Sequence, residues 1–372
     1  MRTELYANPE GRFVHDCILE ACRRNPNKVA LVDTSLPEPR RVTYAEYADL
    51  VERLARSLRA AGLENGDRVA LFLPNSWEFC AAYHAATLAG CIPTPLNPSY
   101  REREVRYQLE NSGAAILIAM APLVAEMNLS GLPALRRVFT TRGQAPGCSD
   151  FSELLVPSSS PLTPPTGDTR EILAALPYSS GTTGLPKGVM LSHFNLVSNA
   201  YQIIGPDAAP FHSDEITLCF LPLYHIYGLN VVLNPTLMLG ATLVLMPRFD
   251  AQRAAQLIAG ERISFIPLVP PVLNAFCQLA EQGLFPRQHN VRFVKSGAAP
   301  LPPELARRFT SLTGIIVVQG YGMTEASPGV TLAVADGAVE RPVSIGMPHF
   351  FTDIALAASP GSGRSSGNRL SV

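Results

Sequence analysis

Along the first half of the chain the apolar positions switch between two periods. Tyr47, Val51, Leu54, Ala55 and Leu58 recur at helical spacing. In front of them Thr43 and Glu46 form a capping box, in which each side chain satisfies the other's backbone N–H. Gly62 then offers a left-handed stop. The continuous apolar run 68–73 reads as a buried strand. Residues 75–78 cap a second helix that ends at Gly90, 92–95 form a short strand, 99–102 open a third helix, and 115–118 form the next strand. This alternation predicts a parallel sheet wound with helices.

The segment 156–168, VPSSSPLTPPTGD, has the Pro/Ser/Thr content of a linker. The alternation then resumes, with strands predicted at 216–220, 242–245, 264–266, 292–296 and 314–319. Gly240, Gly260 and Gly283 are the expected helix stops. The fold class expected is therefore α/β: two similar wound sheets with flanking helices. The first spans residues 1–170 with the linker, and the second spans 171–354. The last eighteen residues, 355–372, contain 11 Ala, Ser or Gly and no periodicity, which predicts a disordered tail.

Composition narrows the function. Thirty Lys and Arg against 31 Asp and Glu give a net charge of -1, so neither a nucleic-acid surface nor a polybasic anchor is expected. With 47% hydrophobic and 16% charged residues, the chain can bury large cores. The apolar run 114–125 is too short to span a bilayer and contains Pro122. The first residues, Met-Arg-Thr-Glu-Leu, have no apolar core of a signal peptide. Seven scattered cysteines without a CxxC pair predict reduced thiols in a cytoplasmic protein.

The informative motif is 178–189, YSSGTTGLPKGV. Its small residues Ser179, Ser180, Gly181, Thr182, Thr183 and Gly184 free backbone N–H groups and add hydroxyl donors. Lys187 is its one cation, and Ser192 caps a helix whose N-terminus favours anions. The chemistry suits a polyphosphate. The motif is not a Walker loop, because Gly188 follows the lysine where Ser or Thr is required.

This string resembles the phosphate-loop signature of the AMP-forming adenylating enzymes. Three further segments resemble that superfamily's motifs in the same order: LPLYHIYG at 221–228, KSGAAP at 295–300 and QGYGMTE at 319–325. The similarity is greatest to 4-coumarate–CoA ligases and fatty-acyl-CoA ligases and runs from about residue 12 to Ile354. It implies ATP, Mg²⁺ and coenzyme A as cofactor and co-substrates, with a small-molecule carboxylic acid, aryl or fatty, as substrate.

The resemblance also implies roles for individual residues. The loop from Ser179 to Lys187 would hold the β- and γ-phosphates, Thr324 the α-phosphate and Glu325 the Mg²⁺. Tyr321 would pack on adenine in a pocket lined by Ala298 and Gly320, with Gln319 along the nucleotide. His225 would sit at the mouth of the acyl pocket and Tyr227 along its wall, and Arg248 would meet coenzyme A phosphates. Two other readings stay open: a non-catalytic nucleotide or acyl-binding module, and an amino-acid adenylation domain. Related ligases continue well past the position of Ile354 with a ribose-binding aspartate, a hinge and a small C-terminal domain. A chain truncated before that domain is therefore expected, and the face near 345–354 is expected to be apolar and to favour self-association.

Overall fold

The computed structural model describes residues 8–179, 185–205, 211–333, 344–355 and 369–370. Two sheets organise it. The smaller has five strands, all parallel, in the order Ile92–Pro95, Arg68–Phe72, Ala114–Met120, Arg137–Thr141 and Ser149–Asp150. The larger has nine. Six parallel strands form its middle: Val29–Asp33, Thr242–Leu245, Ile216–Cys219, Phe265–Leu268, Phe293–Ser296 and Ile316–Gly322. Antiparallel strands close both ends, Arg40–Thr43 on one side and Gly329–Leu332 with Met347–Pro348 on the other.

The α/β class is as expected, but the sheets do not part at residue 170. The strand Val29–Asp33 (VALVD) is buried at four of its five positions and must satisfy both backbone edges. It does so by pairing with Arg40–Thr43 and, in parallel, with Thr242–Leu245, where Leu31 faces Leu243. The N-terminal strands therefore complete the sheet built mainly by the second half of the chain. Asp33 fastens the two sheets together. Its carboxylate accepts from the Trp77 backbone N–H at 2.9 Å and from the Arg142 guanidinium, which also holds Glu78.

Local chemistry sets the helix boundaries. The helix Tyr44–Ala60 carries the expected capping box between Thr43 and Glu46. Ser76 caps Trp77–Leu88 by accepting from the Phe79 N–H, and Ser192 caps His193–Ile204. The helix Trp77–Leu88 is buried on every side because it lies between other helices and the sheets, which is why its sequence shows no polar face.

The segment expected as a linker, 156–168, contains neither helix nor strand. Of the expected disordered tail, 356–368 and 371–372 lie outside the described residues. Arg369–Leu370 pairs antiparallel with Ile354–Ala355. At that edge Ile345, Met347, Phe350 and Phe351 are exposed. Among the described residues no helix is long and apolar enough to cross a membrane.

Candidate active site

The parallel strands of the larger sheet end together, at Cys219, Leu268, Ser296 and Gly322, and the motif residues leave from these ends. Ligand sites in open α/β sheets form at such carboxyl ends. One cavity there, of about 160 Å³, opens to solvent. His225, Tyr227, Ala298, Gly320, Tyr321 and Thr324 all line it. Three motifs separated by long stretches of chain thus share one volume. A second hollow on the far side of Ala298 is lined by Gln319, Gly320, Tyr321 and the turn 298–301. Ala298 stands between the two with φ +65°, in the left-handed region.

The His225–Tyr227 wall of the cavity comes from the segment before a π-helical turn, Gly228–Leu233. The Tyr227 hydroxyl donates to the carbonyl oxygen of Lys295 at 2.9 Å. Its ring lies against Gly297, where a Cβ would come within 3.1 Å of a ring carbon. His225 accepts the Tyr227 backbone N–H on Nδ1 at 3.2 Å, so its neutral ring carries the proton on Nε2. The imidazole is open to solvent at the cavity mouth, yet desolvation by the surrounding wall lowers its pKa.

Lys295 is a site residue that sequence reasoning named only as a letter of its motif. It lines the cavity, its side chain is buried, and burial lowers its pKa to about 8. Among the described residues the cavity lining contains no carboxylate to oppose it. At Gly320 a Cβ would meet the Lys295 Cε at 3.1 Å, so the glycine makes room for the lysine stem.

Gln319 does not lie free along the second hollow. Its Oε1 accepts from the Leu301 N–H at 3.0 Å and its Nε2 donates to the Ser344 carbonyl at 3.3 Å. The amide is therefore occupied in shaping the wall. Thr324 and Glu325 sit in a 3₁₀ turn, Thr324–Ala326, that leaves the Glu325 carboxylate exposed.

Of the loop expected to hold phosphates, Ser180, Gly181, Thr182, Thr183 and Gly184 lie outside the described residues. Its two ends are held together: Lys187 pairs with Ser179 and Gly188 with Tyr178 in a two-residue antiparallel ladder. Tyr107 donates to the Pro186 carbonyl at 3.1 Å, and Tyr178 to Asn111 at 2.6 Å. Lys187 is exposed. Arg248 is exposed after the strand Thr242–Leu245 and lines neither cavity.

Among the described residues no group of three or more His, Cys, Asp or Glu side chains converges as for a protein-built metal cage. A lone exposed carboxylate fits Mg²⁺, which is commonly held by one or two carboxylates together with substrate phosphates and water.

The family model described as "AMP-binding enzyme" matches residues 18–366. The chain is 34% identical over 345 residues to 4-coumarate–CoA ligase 5 of Oryza sativa subsp. japonica, covering 91% of this chain and 62% of that protein. It thus spans less than two thirds of the length of that relative. Among solved structures, the inhibitor-bound N-terminal domain of FACL13 from Mycobacterium tuberculosis superposes with a TM-score of 0.82 at 29% identity, over 94% of this chain and 85% of that one. A long-chain-fatty-acid-CoA ligase (FadD1) from Archaeoglobus fulgidus gives 0.85 at 25% identity, over 97% and 73%. With its motifs gathered at one sheet edge and its fold that of such an N-terminal domain, the chain belongs to the AMP-binding enzyme family, the adenylate-forming superfamily.

Proposed function

We propose that the protein acts in an ATP-dependent carboxylic acid–CoA ligase reaction. The carboxylate oxygen attacks the α-phosphorus of ATP, the bond to the β-phosphate oxygen breaks, and pyrophosphate leaves. The thiolate of coenzyme A then attacks the acyl carbon, and AMP leaves as the thioester forms. The observation that carries this reading is the shared cavity, whose lining includes His225, Tyr227 and Lys295 together with Tyr321 and Thr324. An acid and a nucleotide bound there would meet near Thr324.

In this reading the Thr324 hydroxyl donates to an α-phosphate oxygen, and Tyr321, half exposed, stacks on adenine beside Ala298 and Gly320. The loop pinned at Ser179 and Lys187 holds the β- and γ-phosphates through backbone N–H groups and the Lys187 ammonium. Glu325 would hold Mg²⁺, which when bound neutralises phosphate charge. Gln319 contributes through the wall it shapes, and Arg248 is assigned to coenzyme A phosphates outside the cavity. His225 at the mouth and Tyr227 along the wall orient the acid, which the lining leaves as aryl or aliphatic. Positioning and charge stabilisation supply the rate enhancement.

Among the described residues the cavity lining carries no carboxylate, which favours an acid without an amine over an amino acid. Seven free cysteines, six of them buried, support a reducing, cytoplasmic setting. The exposed apolar side chains from Ile345 to Phe351 support self-association, which sedimentation would detect.

The test is ATP–pyrophosphate exchange across a panel of cinnamic, benzoic and fatty acids. Exchange that depends on one class of acid is expected. Tight AMP binding with no exchange for any acid would replace the ligase with a nucleotide-binding module.

A further inference from the structure

A third hollow, of about 480 Å³, lies at the other end of the larger sheet from the candidate active site. It forms where the strands Ile216–Cys219, Phe265–Leu268 and Phe293–Ser296 begin, and Glu215, Ser264 and Arg292 just ahead of them line it together with Arg262 and Asn290. The motif residues gather where these strands end. The strand Phe265–Leu268 has 4 residues, so the two ends stand about 13 Å apart at 3.3 Å per residue.

One backbone feature singles this hollow out. At the ends of six helices the chain turns through a left-handed residue that is glycine: Gly62, Gly90, Gly113, Gly240, Gly283 and Gly314. The helix Ala251–Gly260 also ends through a left-handed residue, but there it is Arg262, with φ +54°. Gly260 itself stays inside the helix. A side chain is strained in this region, and such outliers persist where the surroundings impose them and collect at functional sites. The turn is imposed from outside: Arg41 donates to both carboxylate oxygens of Glu261, at 2.7 and 2.8 Å.

The charges around the hollow do not cancel. Glu215 is buried, and its carboxylate accepts from the Arg292 guanidinium and from the Ser264 hydroxyl, so its charge is engaged within the fold. Arg292 is further placed by the Phe293 ring, whose centroid lies 5.5 Å from its guanidinium carbon. Asp214, the other carboxylate of the lining, points to solvent with the Lys28 ammonium 3.7 Å away. Lys28, Arg262 and Arg292 thus face Asp214 and Glu215, three cations against two anions. Among the described residues Arg262 has neither an ion pair nor a hydrogen bond, so the excess positive charge lies with it.

We propose that this hollow is a second anion site, apart from the nucleotide, that takes a phosphate group between Arg262 and Arg292. A guanidinium presents paired N–H donors that match phosphate oxygens. An esterified phosphate carries about -1.5 to -2 charge near pH 7, enough to engage more than one guanidinium. The Asn290 amide adds a neutral donor at the same wall. The site explains why the chain keeps an arginine where its other helix ends use glycine. It does not depend on the ligase reading.

The test is a titration with inorganic phosphate and with glycerol 3-phosphate at constant ionic strength, followed by phosphorus NMR line width. The reference is the full chain with Lys187→Ala, which removes the cation of the loop 179–187. It is compared with the same chain carrying Arg262→Gln or Arg262→Gly as well. Arg262→Gln keeps the left-handed side chain and removes its charge, and it is expected to weaken phosphate binding by about tenfold or more. Arg262→Gly should lose binding to the same extent. It should also melt at or above the reference temperature in phosphate-free buffer, which separates a lost ligand from a damaged fold.

Tighter binding of glycerol 3-phosphate, lost with Arg262→Gln, assigns the site to an esterified phosphate. Tighter binding of inorganic phosphate, lost in the same way, assigns it to the free ion. Binding that survives Arg262→Gln unchanged overturns the proposal. So does a reference chain that broadens neither probe, because any binding by the wild type then belongs to the loop that holds Lys187.

Discussion

The Tyr227 hydroxyl and the Lys295 carbonyl oxygen are 2.9 Å apart, and this bond ties the Tyr227 wall of the cavity to the strand Phe293–Ser296. Gly297 lies directly beneath the ring. Gly297→Ala would set a methyl 3.1 Å from the ring and push it into the cavity. The expected outcome is a loss of acyl-adenylate analogue affinity with AMP affinity nearly unchanged. Tyr227→Phe should instead cost about 1 kcal/mol of stability, the usual worth of one buried hydrogen bond, measured by urea denaturation.

Lys295 leads to a pH-dependent prediction. Burial lowers its pKa to about 8 from the ordinary 10.5. Between those values the unfolded chain binds more protons than the folded one, so stability rises with pH across that window. Below pH 8 the folded protein carries the full penalty of a buried charge. Lys295→Met is therefore expected to raise the melting temperature at pH 7, with the gain shrinking toward pH 10.5. The same charge should help acids with an electron-rich distal group, so their affinity should fall above pH 8 in the wild type and not in the variant. Equal melting temperatures at pH 7 would contradict the buried-charge assignment.

Much of this architecture is legible locally. The strand Thr242–Leu245 follows from its apolar run, and the helix starts at Thr43, Ser76 and Ser192 follow from capping chemistry. The strand Val29–Asp33 is not legible in the same way. Its parallel partner lies more than two hundred residues along the chain, so no turn signal or alternation marks the pairing. The gathering of His225, Tyr227, Tyr321 and Thr324 follows from motif resemblance. The burial of Lys295 beside Gly320 and the engagement of Gln319 with Leu301 and Ser344 are tertiary facts without local signals. The same holds for Asn230 and Asn199, whose amides donate to the Ser327 and Gly329 carbonyls and join distant segments.

Lys187 stands at the base of the loop 179–187, paired in register with Ser179. Its exposure means that Lys187→Ala should leave the fold intact. ATP affinity is expected to fall by about tenfold or more, with a smaller change for AMP, which lacks the phosphates the loop would hold. Calorimetry with both nucleotides checks the difference, and an equal loss for both would detach Lys187 from the β- and γ-phosphates.

Glu325 is the one carboxylate in the motif 319–326 and projects into solvent. Glu325→Gln keeps the shape and removes the charge. Nucleotide exchange should then need a higher Mg²⁺ concentration, while AMP binding in chelator stays at the wild-type level. An unchanged Mg²⁺ titration would place the ion against other groups.

Four buried histidines predict how the protein responds to acid. Burial lowers the pKa of His15 to about 3, and it lowers His193 to about 3 with His15 adding to the effect. Burial also lowers His84 to about 4, and burial together with the Lys295 charge takes His349 to about 3. The ordinary value is 6.5. Between 6.5 and these lowered values the unfolded chain binds more protons, so stability is full above pH 6.5 and falls as the pH drops. Each histidine contributes up to about 1.4 kcal/mol per pH unit within that window. Neither ring nitrogen of His15 has a hydrogen-bond partner among the described residues, and the exposed Asp16 carboxylate stands 3.8 Å from its Nε2, so charging it in the folded state gains little in return. His15→Phe is of similar shape and fits beside Phe13 and His193, whose rings lie 5.3 and 5.6 Å from that of His15. The variant should match or exceed wild-type stability at pH 7.5 and should lose stability less steeply below pH 6. Urea midpoints at pH 7.5, 6 and 5 measure the slope, and parallel curves for the two proteins would show that His15 is not among the groups that take up protons on unfolding.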